Sequence, residues 1–168
     1  MPDLYRPALI ALVIVLGGCD AGKISRLEKQ NQKLQSEIRK NQVAVDLDMQ
    51  GKCARDSKLW FDEQWGHRDQ DTLSLDYHNH YNRSLNKCFA LVDYRSGTRP
   101  GGRRGQSVLV HESLWTVYEN NALLAEFSSR YISYKSESEE KILDCRVDEK
   151  TCQSEDEFDN LVQPYMND

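Results

Sequence analysis

Apolar material is scarce in this chain. Hydrophobic residues fill 39% of its 168 positions, and part of that share sits in one segment near the start. The remainder must build a core that is modest for the chain's size. A basic surface is missing too. Twenty-two lysines and arginines face 27 aspartates and glutamates, a formal net charge of −5. That balance argues against a general nucleic-acid binder, which needs a basic face. Motifs that carry chemistry are also absent. There is no Gly-x-Ser-x-Gly elbow for a serine nucleophile and no His-Glu-x-x-His pair for catalytic zinc. No glycine-rich loop closes on the Lys-Ser/Thr of a phosphate cradle, and no Cys-x-x-Cys spacing suits structural zinc. Nothing points to a cofactor.

What is present begins with an apolar run from Ala8 to Leu16, closed by Leu16-Gly17-Gly18-Cys19. Nine apolar residues cover about half of the ~20 that a helix needs to cross a bilayer. A short apolar segment ending in small residues reads as a secretory signal. With a cysteine straight after the glycine pair, it resembles the lipobox of bacterial lipoproteins. The resemblance implies that residues 1–18 are removed and that Cys19 becomes the mature N-terminus. There it would carry a diacylglycerol group and an amide-linked fatty acid such as palmitate, enough chains for stable anchoring in a lipid bilayer. Asp20 resembles the residue that retains enterobacterial lipoproteins at the inner membrane. The expected place is the bacterial cell envelope, at the inner membrane facing the periplasm, with the outer membrane as the other choice.

The cysteine count fits that compartment. Besides Cys19 the chain has Cys53, Cys88, Cys145 and Cys152. An even set in an exported chain reads as two disulfides. Four cysteines allow three pairings. Cys145–Cys152 is favoured because a short hairpin joins them, which leaves Cys53–Cys88. A loop of a few tens of residues closed this way gains about 3–4 kcal/mol in the chain-entropy account, a useful supplement to a thin core.

Residues 19–23 form a short tether, and from Ile24 the pattern turns helical. With Ile24 as heptad position a, Leu27 is d, Asn31 a, Leu34 d, Ile38 a, Asn41 d and Val45 a. That is a coiled-coil seam of about three heptads, and an asparagine at an a position favours two strands. Residues 24–50 read as a helical stalk, roughly 40 Å long at 1.5 Å per residue, with residues 24–45 as a candidate surface for homo-oligomer formation. Gly51 weakens the helix, and Lys52 to Trp65 reads as a second, amphipathic helix ended by Gly66.

Residues 52–168 read as one disulfide-bonded domain. Thr72–His80, Cys88–Tyr94, Ser107–Tyr118, Leu123–Tyr134 and Ile142–Val147 carry strand patterns. Asn120-Asn121 is a hairpin-turn signal, and Ser133 to Lys141 reads as a polar connection. Ser154-Glu155-Asp156-Glu157 is a capping box. Phe158, Leu161, Val162 and Tyr165 then fall on one helical stripe. The expectation is an α+β domain with an antiparallel sheet of 4–5 strands and helices covering one face.

Asn79-His80-Tyr81-Asn82, Leu85-Asn86-Lys87-Cys88-Phe89, Cys152 to Phe158 and Pro164-Tyr165-Met166 are similar to segments in a group of small uncharacterised bacterial proteins. The likeness covers residues 52–168. It implies one folded unit, and since the group carries no established activity it transfers no catalytic residue.

Two clusters merit attention as sites. Asp76, His78 and His80 alternate along one strand and offer a carboxylate and two imidazoles to a metal, with Tyr81 next to them. Arg95, Arg99, Arg103 and Arg104 set four cations around a glycine-rich loop, suited to anionic lipid or a carboxylate-rich partner. The expected function is a non-catalytic binding or scaffolding module, displayed on a stalk and engaging another envelope protein or a second copy. The alternative is a ligand- or metal-binding domain, or a weak hydrolase, built on Asp76, His78 and His80.

Overall fold

A computed structural model describes residues 21–97, 106–134 and 137–168. The elements run α1 (Ala21–Trp65), β1 (Thr72–Asn82), β2 (Lys87–Gly97), β3 (Gln106–Thr116), β4 (Leu123–Tyr134), β5 (Glu137–Val147), β6 (Lys150–Thr151) and α2 (Glu155–Met166). By backbone contacts the chain divides after Val45, and the second unit runs from Asp46 to Asp168.

The second unit is α+β. Its strands form one antiparallel sheet in the order β1-β2-β3-β4-β5-β6. The sheet has six strands rather than four or five, because Lys150-Thr151 adds a short one after the turn at Asp148. Strand β5 also begins at Glu137, in the stretch expected to be a polar connection. Its charged residues Glu139, Glu140 and Lys141 are exposed, so charge on that strand costs nothing in burial. Asn120 and Asn121 both take positive φ between β3 and β4, as the hairpin signal implied.

Adjacent strand residues show where each helix packs. Ala90 and Val92 face Trp60 of α1, with Leu75 in the same cluster. Phe89 faces the other way, into a cluster with Phe127, Phe158 and Val162 of α2. The two helices therefore cover opposite faces of the sheet, not one. The reason is local: residues 88–92 of β2 are apolar on both sides, so each side needs its own cover.

A second difference concerns Gly51. The helix runs through it without a break. A mid-helix glycine costs about 1 kcal/mol relative to alanine, which the burial of Cys53, Ser57 and Trp60 just beyond it outweighs. The helix does end where expected, at Gly66. A Cβ there would overlap the backbone carbonyl of Asp62, so glycine lets the chain turn away. Two cysteine pairs lie at bonding geometry: Cys53–Cys88 ties α1 to β2 with Cα atoms 5.5 Å apart, and Cys145–Cys152 closes the β5–β6 hairpin at 5.0 Å.

Candidate functional site

Strand β1 places Asp76, His78 and His80 on the α2 side of the sheet, opposite Asp93, Leu91 and Phe89 of β2. Sharing a face does not bring them to one point. Asp76 accepts the Tyr77 backbone N–H at 2.8 Å, and His78 is exposed. His80 Nε2 lies 3.4 Å from the carboxylate of Asp168. Among the described residues no group of three or more His, Cys, Asp or Glu side chains is placed to hold a metal ion.

His80 belongs instead to a clamp on the last residues of the chain. Arg83 donates to Asp168 from its backbone N–H at 3.0 Å and from Nε at 2.6 Å, while Nη1 reaches Asp46 at 3.2 Å. These donors hold the Asp168 carboxyl below its ordinary range, the backbone N–H of Arg83 contributing most. Beside them the fully buried Asn82 gives Nδ2 hydrogen bonds to the carbonyls of Pro164, Tyr165 and Asn167 at 3.0, 3.3 and 2.8 Å. Its Oδ1 accepts the Leu85 N–H at 2.9 Å. An open groove runs past Ser84, Leu85 and Pro164 here. The polar groups of Asn82 are satisfied by the tail carbonyls and by the Leu85 N–H, so they bind structure rather than a reacting atom.

The other cluster is acidic. Register sets Asp76, Asp93 and Glu112 in one row across β1, β2 and β3. Glu112 is 8% exposed. Burial raises its carboxyl to about 7, helped by the charges of Asp159, Glu155 and Asp93 and by a hydrogen bond with Glu155 of α2. Arg95, expected on the exposed loop, lies in β2 with Nε 3.3 Å from Asp93 Oδ1. That cation is engaged within the sheet and does not belong to a free basic loop. Arg99, Arg103 and Arg104 lie outside the described residues, as do Cys19 and Asp20.

The edge of β1 bears on partner binding. An exposed strand edge is a template for another chain, yet side chains already occupy this one. Arg68 donates to the Leu75 carbonyl at 3.2 Å, Asp76 accepts from Tyr77, and Gln50 accepts the Tyr81 N–H at 3.0 Å. On the opposite face Trp65 stands near Tyr94 and His111, with ring centres 6.2 and 6.4 Å away. Burial lowers the pKa of His111, against the upward pull of Glu126 and Asp144.

Sequence reasoning passes over Arg83 and Glu112, and names Asn82 only within a resembling segment. Glu112 had a signal of a kind, as an acid at a core-facing position of a strand between Val110 and Leu114. Asn82 and Arg83 have none for their hold on the tail, since Pro164 to Asp168 lie more than 80 positions away. Comparison of the chain with protein-family models, with curated proteins and with solved structures finds no match.

Proposed function

We propose that this protein is a membrane-anchored lipoprotein of the bacterial envelope, whose disulfide-bonded domain is a non-catalytic binding or scaffolding module carried by a helical stalk. The observation that carries the reading is Leu16-Gly17-Gly18-Cys19 behind an apolar run too short to cross a bilayer. The cysteines support it. Cys53 with Cys88 and Cys145 with Cys152 account for the other four thiols, leaving Cys19 alone for acylation. Disulfides in turn suit an oxidising compartment. Asp20 favours the inner membrane, with the domain facing the periplasm. The partner is another envelope protein or a second copy, engaged through residues 24–45, whose apolar side chains are exposed.

The test is intact-mass analysis of the protein recovered from cells, beside Cys19→Ser. Loss of residues 1–18 with a gain of three acyl chains, abolished in the variant, is the expected result. An unprocessed N-terminus with four reduced thiols overturns the proposal.

A further inference from the structure

We infer that residues 24–45 pair with a second copy of this chain as a parallel, in-register, two-stranded coiled coil. The inference rests on the reading of this segment as a partner-binding stalk and adds the occupant, the strand number and the direction.

The surface is an unpartnered stripe. Ile24, Leu27, Leu34, Ile38 and Val45 are each more than half exposed in the single chain, on a helix that is continuous through them. They occupy a and d positions, and the same seam carries Asn31 at a and Asn41 at d. Asparagine in a seam is tolerated opposite asparagine and costly opposite leucine or isoleucine, where its amide loses water without gaining a partner. That restricts the alignment. Shifting parallel strands by one heptad sets Asn31 against Ile38 and Asn41 against Asp48. Two arrangements match every asparagine: parallel in register, Asn31 to Asn31 and Asn41 to Asn41, and antiparallel, Asn31 to Asn41 of the other copy.

Flanking charges choose between them. In the parallel pair a g residue meets the e residue five positions on in the other strand. Lys23 then meets Glu28, Gln30 meets Gln35 and Glu37 meets Gln42, each twice, so one attractive contact is repeated and no like charges meet. In the antiparallel pair g faces g. The matched-asparagine alignment brings Glu37 of one copy against Glu37 of the other, and the Lys23–Glu28 contact is lost. The other charged positions, Arg26, Lys29, Lys33, Arg39 and Lys40, fall on the outer b, c and f positions, where they meet solvent, as does Val43 at f.

The experiment uses the full chain in detergent, with differently tagged copies carrying Asn31→Cys or Asn41→Cys. Both are oxidised mildly and resolved without reductant. The expected products are Asn31→Cys linked to itself and Asn41→Cys linked to itself, with no cross-product on mixing. A cross-product without self-linking overturns the direction. A monomeric mass for the unmodified chain by sedimentation overturns the pairing. Glu28→Lys should weaken association several-fold and Lys23→Glu added to it should restore it, whereas an unchanged dimer in Glu28→Lys also counts against the parallel register. An acylated chain that stays monomeric defeats this inference alone, and an unacylated chain that dimerises defeats only the lipoprotein reading.

Discussion

One helix has two different halves. Before Asp46 its apolar residues are exposed, and after it Cys53, Ser57 and Trp60 are buried against the sheet, with Cys53 joined to Cys88. Both stretches have ordinary helix-forming sequence, so propensity does not distinguish them. What differs is the source of stability. Most helical stability in proteins comes from packing of an apolar face rather than from propensity, and in the single chain the first half has only its own turns to hold it. The second half is held by packing, which tolerates even Gly51. The first half keeps an apolar stripe exposed, and the second is part of a finished core.

The comparison predicts that damage to the domain is severe and local. Phe127 is fully buried against Phe158 of α2, ring centres 5.7 Å apart. Phe127→Ala should destabilise the domain by about 3–5 kcal/mol through lost burial and the cavity left behind. Urea unfolding followed by near-ultraviolet circular dichroism reads this, and a loss under 1 kcal/mol would mean that the sheet and α2 do not share a core. Next in size is the tie between the halves of the fold. Replacing Cys53 and Cys88 together with alanine should cost about 2–4 kcal/mol, since the bridge closes a long loop in the unfolded chain. An unchanged midpoint would show that packing at Trp60 and Leu75 holds α1 unaided.

A third test concerns the acid buried under α2. The Glu112 carboxyl is raised to about 7 in the fold by burial and by Asp159, Glu155 and Asp93. A group raised on folding stabilises fully below its ordinary pKa of 4.5, and that contribution disappears as pH rises through about 7. The domain should thus lose on the order of 1–3 kcal/mol between pH 5 and 8 from this group. Glu112→Gln keeps a donor toward Glu155 and cannot ionise, so its profile should be flatter on that limb. His111, whose pKa is lowered by burial, acts in the opposite sense on the acid side and is common to both proteins. Parallel profiles for the two proteins would remove Glu112 as the cause.

How far the fold could be read in advance follows the range of each interaction. The cap of α2 is local, with Ser154 Oγ accepting the Glu157 N–H at 3.1 Å, and four residues suffice to see it. The turn at Asn120-Asn121 and the short Cys145–Cys152 hairpin are local in the same way. The start of β5 escaped because Glu139, Glu140 and Lys141 earn their place by backbone pairing with β4, which side-chain pattern does not register. The placement of helices on opposite faces depends on residues 88–92 being apolar on both sides, a pattern legible only once β2 is known to lie inside the sheet. Of the candidate sites, Asp76, His78 and His80 share one strand face as their spacing implies, but Asp76 turns to the Tyr77 N–H and His80 to Asp168. The Asn82 and Arg83 clamp joins the two ends of the domain sequence and leaves no mark in either.

The smallest effect is the sharpest test of the comparison. Leu34 and Ile38 are 58% and 65% exposed, so replacing both with serine removes little burial from the single chain. Surface changes of this kind usually stay within about 0.5 kcal/mol. The urea midpoint of the Asp46–Asp168 unit, read from its tryptophans, should accordingly be unchanged by Leu34→Ser with Ile38→Ser. The same pair removes two adjacent apolar layers from the seam, so the full chain in detergent should sediment as a monomer. Stability and assembly would then separate cleanly on one continuous helix. A domain that loses several kcal/mol from these two changes would show that the seam is already covered by the chain's own fold, and the division after Val45 would lose its physical meaning.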